Sequence, residues 1–286
     1  MRTFMNAMSI DVEEWYDPEL VKNHVPATDR SSMLQRSIRP LLEALSKHRT
    51  LCTFFVLGRV ARQYPDLIRQ LHAEGHEIAC HGMTHIPLWH LTPMQFRVEL
   101  REFRQTIYSI DPSIRIAGFR APTFSLDSTT AWALRILADE GFAYDSSIFP
   151  FRNHVYGVSD APLVPYKPDP DDITKHSEAG VLWEFPMTVV TLRKVRIPVS
   201  GGLYLRVFPR WFTVMALRRV NRQRPFMLYC HPWECDPLVP HVKIGFINSL
   251  ITYTGTNGTI AKLNILLDEF FCTRIDVALE TYYGRH

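Results

Sequence analysis

Three short segments, far apart in the chain, hold the residue types that a metal-assisted hydrolase needs: Asp11-Val12-Glu13-Glu14, His81-Gly82-Met83-Thr84-His85 and Cys230-His231-Pro232-Trp233-Glu234. Asp11 and Glu13 are two apart, and residues at that spacing in a strand share a face. Both carboxylates can therefore enter one cleft while Val12 turns into packing. One can hold a metal while the other takes a proton from its water. Glu14 replaces Glu13 as ligand if the strand ends early. His81 and His85 are four apart, a separation that brings two ring nitrogens to one ion from a helix or tight turn. Two neutral imidazoles and a carboxylate make an open site, with a coordination position left for water.

Other residues could complete such a site. Arg120 precedes Ala121-Pro122, where the proline stiffens the turn. The guanidinium then has a fixed direction and either orients a carboxylate such as Asp11 or makes a simple loop salt bridge. His231, between a hydrophobic strand and Pro232-Trp233, is the expected proton donor, and an adjacent carboxylate would raise its pKa and hold one tautomer. Asp145, ahead of Ser146-Ser147, reads equally as a cap or turn residue. Trp15, Trp89 and Trp233 flank the motifs and are either walls of a ligand cleft or ordinary core. In Gly201-Gly202-Leu203-Tyr204-Leu205-Arg206, glycines let backbone approach a ligand closely and Tyr204 can stack on a ligand ring; a plain turn is the alternative.

These residues need elements to place them. Strand-like and helix-like segments alternate from end to end. Strands are expected at 4–12, 51–57, 77–80, 115–119, 142–144 and 225–230, and helices at 33–47, 60–74 and 92–107 and from Asp127 to Gly141. Thr92-Pro93-Met94-Gln95 has the form of a capping box. The alternation predicts parallel strands with crossover helices. Asp11, His81, Arg120, Asp145 and His231 all fall just past strand C-termini, where a βα barrel places its site. A doubly wound sheet uses the same edge, but no Gly-x-Gly-x-x-Gly follows the first strand. Residues 150–180, rich in Pro and Asp, read as a long surface loop. No repeat or linker appears, so one domain is expected over 1–286.

Composition narrows the classes. The 286 residues are 46% hydrophobic and 21% charged with a net charge of +3, enough for one large α/β core and too little charge for a nucleic-acid partner. The basic cluster Arg218, Arg219, Arg222 and Arg224 reads as dipole complements at a helix end. Five cysteines (52, 80, 230, 235, 272) without close spacing argue against disulfides and a structural zinc cluster. No signal-like or membrane-spanning run is present. The expected location is cytoplasmic, at or near the inner face of the membrane. Asn257-Gly258-Thr259 reads as a turn into the final helix.

Together the motifs resemble the polysaccharide deacetylase family with the NodB homology domain (carbohydrate esterase family 4), and within it the branch found beside exopolysaccharide and exosortase loci. The likeness spans nearly the whole chain through Ser9-Ile10-Asp11-Val12-Glu13, 53–58, 75–85, 118–125, 144–150 and His231-Pro232-Trp233-Glu234. It implies an irregular α/β fold, a (β/α) barrel of about seven strands, with residues 236–286 as a C-terminal extension packed on it. It implies that Asp11 is the base, held by Arg120, and that His231 is the acid, oriented by Asp145. Glu13, His81 and His85 would bind a divalent metal, Zn²⁺ foremost, and Trp15, Pro122, Tyr204 and Trp233 would meet the substrate. The family usually has two successive aspartates in its first motif. Here Val12 takes the ligand position, which moves the ligand to Glu13. The implied reaction removes N-acetyl groups from an amino-sugar-containing glycan or a lipid-linked saccharide. Cleavage of another C–N bond, in a cyclic imide or formamide, is the alternative on this fold, and an inactive glycan-binding protein is the third reading.

Overall fold

The computed structural model describes residues 4–284; residues 1–3 and 285–286, the ends of the expected 1–286 domain, lie outside the described residues. The elements run β1 (Asn6–Val12), α1 (Leu34–Lys47), β2 (Thr53–Val56), α2 (Gly58–Gln63), α3 (Pro65–Ala73), β3 (Glu77–Cys80), α4 (Pro93–Ile110), β4 (Gly118–Phe119), α5 (Trp132–Asp139), β5 (Tyr144–Asp145) and β6 (Trp183–Glu184). They continue with β7 (Val189–Leu192), β8 (Val195–Pro198), α6 (Gly202–Val207), α7 (Arg210–Asn221), β9 (Met227–Cys230), α8 (Phe246–Tyr253), α9 (Thr259–Glu269), β10 (Cys272–Thr273) and α10 (Ile275–Tyr283). Seven strands lie parallel in the order β9-β1-β2-β3-β4-β5-β6 and curl into a half-barrel. β7 and β8 form a separate antiparallel hairpin. Thr188, next to that hairpin, bonds the backbone of Met227 through its hydroxyl at 2.7 and 3.1 Å, which hooks the hairpin to β9.

Strand alternation sorts the core into two layers. Met8, Ile10 and Val12 of β1 face outward and pack with Phe54, Val56 and the apolar stripes of the helices. Ala7, Phe55, Ala79, Tyr144, Met227 and Tyr229 fill the barrel interior. Ser9 and Asp11 share the inward face with Ala7, so β1 carries its polar residues to the upper end of the barrel, and Glu13 follows just beyond. A third cluster, Trp15, Tyr16, Val21, Val25, Trp233, Val239 and Ile244, roofs the region beside it.

Where expectation and structure part, local chemistry explains it. The helix expected at 60–74 is two helices, because Pro65 drives Tyr64 out of the helical region (φ −129°, ψ 58°). The capping box of Thr92 and Gln95 is present. Gly75 and Gly141 end their helices at φ +89° and +79°. The 150–180 segment has no helix, yet it buries Ala161, Tyr166 and Ile173 and bridges Tyr166 to Glu184, so it is partly core rather than all surface. α9 is not the final helix. β10 follows it and pairs with Asn6 and Ala7 of β1, on the same edge as β2, so part of the 236–286 extension belongs to the sheet itself. Arg218 and Arg219 do end α7, but Arg224 is buried and donates to Val189 O at 2.7 Å. All five cysteines are buried and free. Among the described residues, no helix is long and apolar enough to cross a membrane.

Candidate active site

At the C-terminal end of the parallel strands the three motifs meet. Ligand atoms of Glu13, His81 and His85 lie within 4.8 Å of one another, and all three residues are buried. β1 ends at Val12, and Glu13 continues the inward face begun by Ser9 and Asp11. Glu14 turns the other way: its carboxylate accepts from Ser32 Oγ and from Met33 N (3.0 Å), which ties it to the segment just ahead of α1. Of the two glutamates, Glu13 is therefore the one beside the imidazoles.

The histidine pair sits on a tight turn after β3, not on a helix. Gly82 has φ +80° and His85 φ +61°, the latter a left-handed position that costs a non-glycine residue on the order of 1 kcal/mol. Glu99 of α4 pins this turn by accepting from Met83 N (2.7 Å), Thr84 N (3.3 Å) and Thr84 Oγ1 (3.0 Å). His81 Nδ1 donates to Arg120 O at 2.8 Å, which fixes the tautomer and leaves the Nε2 lone pair free. Burial pushes His81 down to about 4 against the pull of Asp11, so it is neutral at pH 7. His85 Nε2 touches Glu13 Oε2 at 2.9 Å, and Trp233 Nε1 donates to Glu13 Oε1 at 3.0 Å. Burial alone would lift Glu13, but His231 and His85 hold it at about 2. A committed carboxylate and a neutral imidazole with a free lone pair, beside a second buried histidine, are a donor set that fits a divalent cation.

Asp11 lies one step lower in the cleft. Arg120 Nη1 donates to Asp11 Oδ1 at 2.6 Å and to Ser9 Oγ at 2.9 Å, and its other nitrogens donate to Ser146 O and Ser146 Oγ at 3.0 Å each. The fully buried guanidinium also stacks over Phe55, 4.2 Å from the ring centroid. Its direction is therefore set on every side. The following turn holds Thr123 and Phe124 at φ +58° and +49°, two strained residues in succession beside the site.

His231 faces both acids, with Nε2 3.8 Å from Asp11 Oδ2 and 3.7 Å from Glu13 Oε1. The carboxylate that orients it is not Asp145. Glu234 Oε2 accepts from His231 Nδ1 at 2.9 Å and from His231 N at 3.0 Å, while Glu234 Oε1 accepts from Arg206 Nε at 2.7 Å. Burial lowers His231, but Glu13, Glu234 and Asp11 more than offset it and raise the ring to about 9. Asp145 points into a different network. It accepts from Ser147 Oγ (2.6 Å) and Ser147 N (3.2 Å), and Ser147 Oγ in turn accepts from Ala121 N. Burial and the facing Asp145 push Glu184 well above the usual carboxylate range, and burial raises Asp145 as well. Asp145 thus braces the backbone beside Arg120 instead of the acid, because it lies within β5, paired in register with Glu184 of β6.

A cavity of about 380 Å³ opens over these groups, within the usual range for a small-ligand site. Tyr204 and Trp233 line it, as expected, together with Phe124, Tyr156 and Tyr229. Trp233 stacks on His231 at 5.3 Å and 22°. Trp15 does not line it: the ring is buried in the third cluster and its indole N–H goes to Ser31 O at 2.9 Å. Pro122 is also buried, and its neighbours Ala121, Thr123 and Phe124 meet the cavity instead. Trp89 is half-buried away from the cavity, edge-on to His90. Glu234 and Arg206 were missed as site residues, although a signal existed. His-Pro-x-Glu has the spacing of a capping box with proline at its first position, which folds residue i+3 back onto residue i.

Comparison with known proteins agrees with this architecture. Residues 29–141 match the family model "Polysaccharide deacetylase", and residues 146–280 match "Domain of unknown function (DUF3473)". β5 lies between the two matched segments and pairs with β4 of the first and β6 of the second, and the cavity draws on both. The chitooligosaccharide deacetylase of Rhizobium leguminosarum bv. trifolii is 38% identical over 80 residues, 28% of this chain and 37% of that protein. The chain thus spans little more than a third of the curated relatives it first matches. Among solved structures, a protein described as a polysaccharide deacetylase from Mycobacterium smegmatis superposes with a TM-score of 0.61 at 18% identity, covering 99% of this chain and 92% of that one. Puue allantoinase gives 0.60 at 16% identity over 99% and 91%. Residues 29–141 are thus similar to polysaccharide deacetylases, and the chain as a whole shares its fold with the solved deacetylase and allantoinase structures.

Proposed function

We infer that the protein is a metal-dependent hydrolase that removes N-acetyl groups from an amino-sugar-containing glycan, of the exopolysaccharide kind, or from its lipid-linked precursor. The observation that carries this reading is the meeting, in one cavity, of a Glu–His–His donor set with an arginine-held aspartate and a glutamate-held histidine. Similarity of part of the chain to chitooligosaccharide deacetylases supports the substrate class.

Glu13, His81 and His85 would hold the metal, most simply Zn²⁺. When bound, the ion supplies Lewis acidity to the acyl carbonyl and lowers the pKa of a water. Asp11 takes the proton from the attacking water, and Arg120 keeps its second oxygen aimed into the cleft. The protonated His231, with Nδ1–H committed to Glu234, presents Nε2–H and gives that proton to the leaving nitrogen. The products are acetate and a free amine. Tyr204, Tyr156 and Phe124 offer ring faces and edges for a sugar.

The test is acetate release from soluble N-acetyl chito-oligosaccharides by zinc-loaded protein, run beside a cyclic imide and a formamide. Turnover of the N-acetyl substrate alone supports deacetylation. Turnover of the imide or formamide alone moves the reaction to another C–N bond, and turnover of none with metal bound supports an inactive glycan-binding protein.

A further inference from the structure

α8 stands beside the mouth of the catalytic cavity. Ile251 and Thr252, near its end, line the cavity, and Arg206, the partner of Glu234, also donates to the carbonyls of Ile251 and Thr254 at 2.8 and 2.6 Å. On the same helix Phe246, Ile247 and Leu250 are 79%, 70% and 48% exposed, and Leu238 in the preceding loop is 67% exposed. α6, tied to α8 by Arg206, ends in the exposed Val207, and the first turn of α7 beyond it shows Arg210 and Trp211 to solvent. A concentration of exposed apolar side chains at a site entrance marks a surface that meets something.

Two features point to a lipid surface. Leu238, Phe246, Ile247 and Leu250 expose on the order of 500 Å², taking ~150–250 Å² per large side chain, against the ~800 Å² per partner of a stable protein interface. An apolar helix face in the headgroup region needs no matching partner surface, only tips that enter by about one side-chain depth. Charge agrees. No Asp or Glu occurs from Pro237 through Leu267, Lys243 within that stretch is exposed, and Arg210 forms no ion pair among the described residues. An anionic bilayer meets no repulsion from this segment, and the cations draw it in.

We propose that α8 and its preceding loop dock on an anionic lipid bilayer, so that the cavity opens at the membrane surface and receives a saccharide whose lipid carrier stays in the bilayer. The substrate half of this inference rests on the deacetylase reading; the docking half does not.

The experiment is flotation of the full chain with vesicles of phosphatidylcholine, with and without phosphatidylglycerol, run beside acetate release from a soluble N-acetyl chito-oligosaccharide. The wild-type protein is expected to float with the phosphatidylglycerol vesicles. The F246D/I247D pair, at exposed positions outside the cavity, should cut the floated fraction at least tenfold and leave soluble turnover within twofold. Lys243→Gln, which removes one charge from an exposed position, should weaken phosphatidylglycerol binding by roughly fivefold. Failure of the wild type to float, or flotation of F246D/I247D at the wild-type level, overturns the proposal. So does conversion of a dimer to a monomer by F246D/I247D, which would make the face a contact between copies. Flotation without acetate release leaves the docking standing and removes only the deacetylase reading.

Discussion

Replacing Glu234 by glutamine isolates the role of the carboxylate that holds His231. The side chain keeps its shape, but its two ends no longer suit both neighbours. With its oxygen toward His231, the amide NH₂ faces the Arg206 N–H; with its oxygen toward Arg206, the NH₂ faces His231 Nδ1 and forces the other tautomer. The ring also loses a negative charge in contact. Burial opposes the rise of His231 from 6.5 to about 9, and Glu13, Glu234 and Asp11 supply it together. Loss of one of the three should return roughly one to two pKa units, or ~2 kcal/mol. General acid catalysis contributes ~10²–10⁴-fold, so kcat for acetate release should fall about 100-fold. The alkaline limb of the pH profile should move to lower pH by roughly one to two units. Asp145→Asn serves as the contrast: it makes no contact with the ring and should leave that limb in place. A folded Glu234→Gln protein, with kcat within twofold of wild type and an unmoved alkaline limb, would refute the assignment.

Other outcomes follow from the same geometry. Arg120→Lys offers one point charge in place of a fork that serves Asp11, Ser9 and Ser146. It should lower kcat/KM at least tenfold and cost ~3 kcal/mol in chemical denaturation, the scale of a broken buried pair. Burial raises Glu77 to about 7. A raised carboxylate contributes stability fully present below pH 4.5 and lost as pH rises through 7. Glu77→Gln should therefore gain about 3 kcal/mol over wild type at pH 8 and nothing at pH 4, read from urea curves. His231 is a raised base, so its contribution to the metal-free protein is complete below pH 6.5 and fades as pH climbs through about 9. That loss is about 3 kcal/mol, and His231→Gln should flatten this part of the stability curve.

Much of this site was legible in the residues because period-2 and turn chemistry act locally. Asp11 and Glu13 had to share a face once β1 was a strand, and Thr92 to Gln95 had to start a helix. The capping glycines at 75 and 141 were equally plain. What was not legible depends on neighbours distant in sequence. The family resemblance implies that Asp145 orients the acid, but its partner is set by the register of β5 against β6, which brings Glu184 beside it. Trp15 and Trp233 read alike as candidate sugar platforms. Both pack in the third cluster; what separates them is that Trp15 turns its indole N–H to Ser31 O, while Trp233 stacks on His231 and reaches the cavity. β6 and β10 are two residues each, too short for any periodicity to show. Glu234 is recoverable from its capping-box spacing to His231.

The central claim is that Glu13, His81 and His85 share one cation, and metal stoichiometry tests it most directly. Apo protein should be dialysed against Zn²⁺ and assayed by elemental analysis, for the wild type and for Glu13→Ala, Glu14→Ala and His81→Ala. The account predicts a single equivalent in the wild type and in Glu14→Ala, and loss of that equivalent in Glu13→Ala and His81→Ala. Absence of zinc from the folded wild type, or retention of the full equivalent without Glu13, would contradict it.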